Sequence, residues 1–496
     1  MRFFKKFVIL NVRFITILFL TIMKFFNRQE QIKQIKEICL LGQKRAQFTT
    51  IFGRRRIGKT RLILEATKKH KNVLYFFIAK KTSGFLLEDF TKELQQKLNL
   101  IIPSKINSFE DLIKFLFQFS QKQSLIVIFD EFQNFQYVDS SVFSLFQKYW
   151  DLNKEKSKIS LFFIGSMHTL MKKIFFSSSE PLFGRAINKF QIKYISINWV
   201  IKILKNFKLY SPSNILHFYS IFGGVPKYLE LIEEKNLKGK KLDKILEKLF
   251  FEQDAILAEE GKSILVEEFG KNYQNYFSVL EAIARGKTKR SEIVNITGIL
   301  NNSLGIYLDE LEKYYELIER RIPIFTNRHF SKLGSYNVSD NFFRFWFRYV
   351  SSQKATVESG NYKEALNFTL KDLTNLEGFV FEQLIKELLV EKNKNEKFLF
   401  NFTQIGSFWT RKNNQIDIVC ANAKTKEIFF GECKLNSKRI NLKLIQELKE
   451  KAKNVKWNLN NRKEYFGIFT LDKPIQKLKN FLKKEKIYYW NLENLY

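Results

Sequence analysis

Three cysteines in 496 residues, Cys39, Cys420 and Cys433, are too few and too scattered for a disulfide framework or a zinc site. That scarcity fits a reducing compartment, and the expected location is the cytoplasm. Proline is scarce too, six in the whole chain, while apolar residues make up 45%. This excludes a disordered, low-complexity chain and allows two to four domains with cores of their own. Long apolar runs are also missing. The best one, residues 14–23 within MRFFKKFVILNVRFITILFLTIM, is about half of the roughly 20 residues a spanning helix needs, and Arg13 precedes it. No small-residue cleavage site follows, as a secretory signal would require. Met23 then opens MKFFNRQEQIKQIKEI, which has amphipathic helical spacing. Residues 1–22 therefore read as an upstream extension, with a weak membrane anchor as the alternative.

Acidic residues are in deficit. Asp and Glu number 50 against 84 Lys and Arg, a net charge of +34. Such a surplus points to a polyanionic partner, nucleic acid before a membrane surface. The chain is also crowded with Lys, Asn, Ile and Phe, residues of A/T-rich codons. Codon drift could supply part of the lysine, so charge alone carries half weight.

Against that background stands IFGRRRIGKTRL (51–62): a glycine, four residues, then Gly-Lys-Thr. AQFTTIF before Gly53 is β-rich and KTRLILEATKKH after it has helical spacing, the strand–loop–helix context a phosphate-binding loop needs. Gly53 and Gly58 would let backbone N–H groups curl round a β-phosphate. Lys59 would reach the β/γ oxygens, Thr60 would offer its hydroxyl to Mg²⁺, and the helix N-terminus would add its dipole. The expected nucleotide-binding segment is thus Gly53, Arg54, Arg55, Arg56, Ile57, Gly58, Lys59, Thr60 and Arg61.

SLIVIFDEFQNF (124–135) is an apolar run ending in Asp130-Glu131. A continuous apolar run reads as a central parallel strand buried on both faces, with the carboxylates at the edge where ligands bind. Asp130 would hold Mg²⁺ directly or through water, and Glu131 would polarise the attacking water. NVLYFFIA (72–79), ISLFFIGS (159–166) and KFQIKYISI (189–197) supply three further strands of a mostly parallel αβα sandwich. Ser166 ends the fourth, within reach of the water or γ-phosphate. Arg185, in PLFGRAI before the fifth, either stabilises transition-state charge in its own or a neighbour's subunit or is a surface arginine.

FNRQEQ, GRRRIGKTRL, VIFDEFQ, FFIGSMHTLMKK, PLFGRA and IFGGVPKYLE, in that order, resemble the archaeal-type ATPase family, P-loop ATPases of the AAA+/STAND kind. The resemblance covers about residues 23–350. It implies ATP hydrolysis, assembly into an oligomer when active, and a role for Arg28 and Gly224-Val225-Pro226 in flanking the base and sensing the nucleotide. From the residues alone, GGVP is a turn between helices.

Residues 201–270 are helical in pattern and would form a lid. In 271–350 three helical stretches and the hairpin-like IFTNRHFSKLGSYNVSD spell a winged helix-turn-helix, with LNNSLGIYLDELEKYY as its recognition helix. Asp309, Glu310 and Glu312 suit phosphate contacts poorly, so DNA contact and a packing role weigh equally there. FFRFWFRYV (342–350) reads as core.

The last 130 residues change character. NLEGFVFEQLIKELLVE (375–391) is an amphipathic helix with Glu377 and Glu382. Asp417 lies in the strand QIDIVCA, and Glu432 and Lys434 lie two apart, on one face, in IFFGECKL. Carboxylates so placed make a hard oxygen site for Mg²⁺ or Mn²⁺, with Asp417 and Glu432 as ligands, while Lys434 would orient water or neutralise a scissile phosphate. The arrangement resembles the PD-(D/E)XK nucleases, with Glu382, Asp417, Glu432 and Lys434 on the motif positions and Ile416 in place of the proline. A charged sheet edge, or a domain that binds DNA without cutting it, are the alternatives.

The sequence thus predicts an α/β chain. Residues 1–22 are an extension, 23–200 a P-loop NTPase αβα core, 201–270 a helical lid and 271–350 a winged helix. Residues 351–374 are a linker and 375–496 a restriction-endonuclease-like domain. The expected function couples ATP hydrolysis to a Mg²⁺-dependent nuclease-like domain acting on DNA; the alternative is an ATP-dependent switch without cleavage.

Overall fold

The computed structural model describes residues 28–100, 106–166, 168–327, 331, 333–411, 414–459 and 461–496. The expectation for residues 1–22 lies outside them. The chain divides into two compact units, one running up to Ile195 and including Val225–Leu231, the other made of Ser196–Gly224 and Ile232–Tyr496. Among the described residues no helix is long and apolar enough to cross a membrane. The three cysteines are free and buried.

In the first unit β1 (Gln47–Phe52), β2 (Val73–Phe77), β3 (Leu125–Asp130), β4 (Ile159–Gly165) and β5 (Asn188–Gln191) form one parallel sheet in the order β2-β3-β4-β1-β5. The apolar runs are continuous because alternate residues enter different cores. Val127 and Phe129 join Phe48, Phe163 and the helices Ser83–Leu98, Phe109–Lys122, Ser141–Asn153 and His168–Phe176 on one face. Ile126 and Ile128 join Ile51, Phe162 and the helices Gln29–Gly42 and Lys59–Thr67 on the other.

The fifth strand is shorter than its sequence suggests. Ile192 N still donates to Phe52 O (2.8 Å), but β1 turns into the loop at Gly53, and no edge remains for residues 193–197 to pair with.

Phe132 sits at the centre of the larger core. Rings of Phe129, Phe135, Phe143, Phe146, Phe163 and Phe175 lie with centroids 4.6–6.2 Å from its own. Phe132→Ala should therefore cost about 3–5 kcal/mol, seen as a lower urea midpoint for this unit.

The second unit begins with helices Ile197–Asn206 and Pro212–Phe222. Helices Tyr273–Ala284, Arg290–Thr297 and Asn301–Asp309 are followed by an antiparallel hairpin of β6 (Ile318–Arg321) and β7 (Ser335–Val338). The acids of the third helix are engaged: Glu310 accepts from Tyr276, and Asp309 pairs with Lys313 at 2.5 Å. FFRFWFRYV is core, with Phe342, Phe343, Phe345, Trp346, Phe347 and Tyr349 all buried.

The stretch expected as a linker, 351–374, is helical instead. It contains the helix Lys354–Glu358 and the first part of Tyr362–Lys394, a helix of 33 residues. Ala365, Leu366, Thr369 and Leu373 are buried at helical spacing, so this first part has an apolar stripe of its own.

The C-terminal sheet has the order β12-β11-β10-β9-β8, from β8 (Gln404–Trp409), β9 (Gln415–Asn422), β10 (Glu427–Lys434), β11 (Lys463–Thr470) and β12 (Tyr488–Asn491). Strands β8, β9 and β10 run antiparallel, and β10, β11 and β12 parallel. The long helix packs against β8, β9 and β10. It also ties the early helices to this sheet: Glu377 meets His217, Tyr219 donates to Glu387 at 2.5 Å, and Asn198 to Glu391 at 2.8 Å.

Candidate functional site

Register brings the first set of candidates to one rim of the parallel sheet. Phe52 pairs with Gly165, and Phe77 with Asp130, so Asp130 ends its strand and Gly53, Glu131 and Ser166 follow theirs on the same rim. Gly53 has φ 150°, and a Cβ there would come within 2.3 Å of Ile192 O. Gly58 has φ 86° and starts the Lys59–Thr67 helix. The loop therefore needs glycine at both positions. Lys59 is buried, its Nζ donating to Gly53 O (2.9 Å) and Arg54 O (2.7 Å). Thr60 Oγ1 donates to Asp130 Oδ2 at 2.6 Å. Hydroxyl and carboxylate oxygens meeting in this way are hard donors that fit Mg²⁺. Burial raises the pKa of Asp130, against donation from Thr60 and Tyr75.

Glu131 stands in the left-handed region at φ 55°, a conformation costly for a residue with a side chain. Ser166 Oγ donates to its Oε2 at 2.6 Å, and Gln133 Nε2 to the same oxygen at 2.5 Å. The carboxylate is held by one oxygen, and Oε1 can accept from a water.

The other loop residues are secured by segments distant in sequence. Arg54 Nη1 donates to Tyr194 (2.7 Å), Arg56 lies 5.9 Å from the Tyr228 ring, and Arg61 pairs with Glu230. Ile57 is buried and Arg55 is exposed. Pro226 opens the helix Pro226–Glu234, whose first residues belong to this unit. Arg28 is buried at φ 81°, donates to Lys193 O, and has its pKa lowered by burial.

Arg185 is not brought to this rim. Thr49 pairs with Asn188 near the start of β1, so Arg185 lies towards the opposite end of the strands. It bonds Asp151 at 2.6 Å and Pro181 O at 2.7 Å, beside a polar cavity of about 550 Å³ lined also by Gln47, Lys154 and Phe183.

A second set converges in the C-terminal sheet. Asp417 and Glu432 are buried on neighbouring strands. Asp417 Oδ2 accepts from Cys433 N (2.9 Å), and Glu432 Oε1 from Lys434 Nζ (2.7 Å). Glu432 Oε2 is buried without a hydrogen-bond partner. Burial, with the Asp417 charge next, pushes Glu382 up to about 7 and also raises Glu432. Burial works against the Lys434 charge, yet the Glu432 carboxylate holds its pKa above the usual value. Crowded carboxylates with one orphaned oxygen fit a divalent cation by their chemistry. Among the described residues, however, no three His, Cys, Asp or Glu side chains form a finished metal cage. Glu377, on the same helix, faces His217 instead.

The family described as an ATPase domain predominantly from Archaea matches residues 25–232, and a family of archaeal and bacterial proteins of unknown function matches residues 346–453. An uncharacterised protein of Methanocaldococcus jannaschii is 31% identical over 463 residues, 92% of this chain and 97% of its own. The chain belongs to the archaeal-type ATPase family. The solved Walker-type ATPase of Pyrococcus abyssi aligns with 65% of the chain and 96% of its own length, with a TM-score of 0.50 and 19% identity, which indicates a shared fold. The enzyme is an ATPase and binds nucleotide.

Sequence reasoning missed several residues of this archaeal-type ATPase. Tyr75 donates to Asp130 Oδ2 at 2.8 Å, from a strand whose register no motif announces. Tyr194, Tyr228 and Glu230 reach the loop only through tertiary folding. Lys386 was readable, four residues after Glu382 and so on the same helix face. Its Nζ donates to Ser407 Oγ at 2.6 Å, and burial lowers its pKa to about 8.

Proposed function

We propose that this ATPase couples nucleotide state to a metal-dependent, nuclease-like C-terminal domain of the PD-(D/E)XK kind that acts on DNA in the cytoplasm. The observation that carries the reading is the convergence of Asp417, Glu432 and Lys434 on adjoining strands, with Glu382 on the helix packed against them. Asp417 and Glu432 would hold Mg²⁺ or Mn²⁺, and Lys434 would place water or a scissile phosphate.

At the other site the loop N–H groups and Lys59 would hold the phosphates, and Thr60 and Asp130 the Mg²⁺. Glu131, fixed by Ser166, would take the proton of the attacking water. Arg28 and Pro226 would flank the base. Residues 271–350 would act as a winged helix. Because the early helices of the second unit are tied to the long helix, a change in the lid would carry the nuclease-like sheet with it.

Purified protein incubated with plasmid and linear DNA, Mg²⁺ or Mn²⁺, with and without ATP, tests the proposal. Metal-dependent cleavage supports it. Its absence with ATP hydrolysis intact supports a switch without cleavage.

Placed at the far rim, Arg185 would serve a neighbouring subunit of a homo-oligomer. Arg185→Ala and Lys59→Ala should each lose ATPase activity by well over tenfold, and mixing the two should restore part of it. No restoration would leave Arg185 as the partner of Asp151.

A further inference from the structure

We propose that Arg321, on hairpin strand β6, belongs to the nuclease-like site and holds a backbone phosphate of duplex DNA beside its carboxylates. The inference rests on reading that site as DNA-acting, and it adds a residue from outside the C-terminal sheet and its helix.

The long helix presents Phe379, Glu382, Gln383 and Lys386 at positions i, i+3, i+4 and i+7, one continuous face. Strand β6 meets that face. Gln383 Nε2 donates to Glu319 Oε1 at 3.2 Å, and Arg321 Cζ lies 4.9 Å from the Phe379 ring. The Arg321 charge reaches the site. It opposes the burial-driven rise of the Glu382 pKa and adds to the burial-driven fall at Lys386.

The hairpin is fixed on β8 at both ends of its loop. Ile324 N donates to Ser407 O (2.8 Å), Leu333 O accepts from Trp409 Nε1 (3.1 Å), and Phe325 stacks on Trp457 with centroids 5.4 Å apart. Ser407 is itself part of the site's frame, its hydroxyl accepting from Lys386 and donating to Asp417 O at 2.8 Å. Arg321 is thus positioned by the framework that positions Asp417.

Two arginines approach Phe379, and they differ. Arg344, 4.5 Å from the ring, is buried and committed to Val338 O, Asn341 and Gln383. Its role is structural. Arg321 keeps 18% of its side chain exposed, and its ion pair with Glu319 is 3.8 Å long, beyond hydrogen-bond range. A guanidinium with five donors in a planar fork, held at the rim of an acidic cluster, matches phosphate geometry. It also offsets the repulsion that crowded carboxylates exert on a polyanion.

The test measures duplex DNA binding across a salt series in the Asp417→Asn background, comparing Arg321 with Arg321→Gln and Arg321→Lys. Loss of one phosphate contact lowers the slope of log K against log salt by about 0.9. Arg321→Gln should show that drop and about tenfold weaker binding. Arg321→Lys should keep most of the slope yet bind several-fold more weakly, because an ammonium lacks the fork.

If Arg321 serves only to cover Phe379, Arg321→Lys binds DNA as the parent does, and the inference falls. This arm holds even if Arg321→Gln melts early. Cleavage with Asp417 intact separates this inference from the nuclease reading. A protein that does not cut, but loses the slope in Arg321→Gln, keeps the phosphate site and overturns the nuclease. A protein that cuts, and whose Arg321→Gln variant binds and cuts like the parent, keeps the nuclease and overturns the inference.

Discussion

Replacing Glu131 by glutamine should stop ATP turnover and leave ATP binding in place. The carboxylate is held by Ser166 and Gln133 through one oxygen, with the other able to accept from water. Glutamine keeps the size but cannot take a proton, so hydrolysis should fall by about 10²–10³-fold. Binding should change little, because the phosphate contacts are proposed for the Gly53–Thr60 loop and Lys59. Lys59→Ala is the contrast: it removes the buried ammonium at the loop and should weaken binding and hydrolysis together. Fluorescent-nucleotide titration beside phosphate release reads both. Turnover of Glu131→Gln at the parent rate would remove Glu131 from the mechanism. Weakened binding in that variant would mean that Glu131 supports the loop.

What could be read from the sequence was chemistry that coincides with local structure. Gly53, Gly58, Lys59 and Thr60 lie within one strand–loop–helix, and Asp130 ends a run whose unbroken apolarity reports burial on both faces. The two motifs meet at 2.6 Å between Thr60 and Asp130. Where position depends on register or on a distant segment, the sequence was silent. From the sequence Arg185 was open to its own nucleotide site, a neighbour's or the bare surface; its own site is the one that register removes, because Arg185 precedes the end of β5 that lies away from the loop. The fifth strand stops when β1 stops, a fact about its partner and not about KFQIKYISI. Tyr228 and Glu230 join the loop only because the chain returns to the first unit at Val225–Leu231. Residues 351–374 were misread for another reason. Their buried positions, Ala365, Leu366, Thr369 and Leu373, stand at helical spacing, but the Lys, Asp and Asn between them mask the stripe. The C-terminal candidates were legible from spacing: Glu432 and Lys434 by the two-residue period of a strand, and Asp417 by the hairpin that pairs Gly431 with Ile418.

Asp417→Ala carries the larger consequence, since it decides what the second unit does. In the nuclease reading it should reduce metal-dependent cleavage below detection, a loss above about 10³-fold, because one of two buried ligands is gone. DNA affinity should hold or rise. Asp417 raises the pKa of both Glu382 and Glu432, so removing it lets those two carboxylates ionise more readily, which offsets part but not all of the acidic charge lost. The substitution also deletes the acceptor of Cys433 N, which locks β10 beside Glu432. Asp417→Asn therefore belongs in the same experiment. It retains an oxygen for Cys433 N and removes the charge, so loss of cleavage in both variants with unchanged melting assigns the effect to metal binding. Cleavage lost in Asp417→Ala but kept in Asp417→Asn would make Asp417 a strap for β10, and the metal would have to be sought at Glu432 and Glu382 alone.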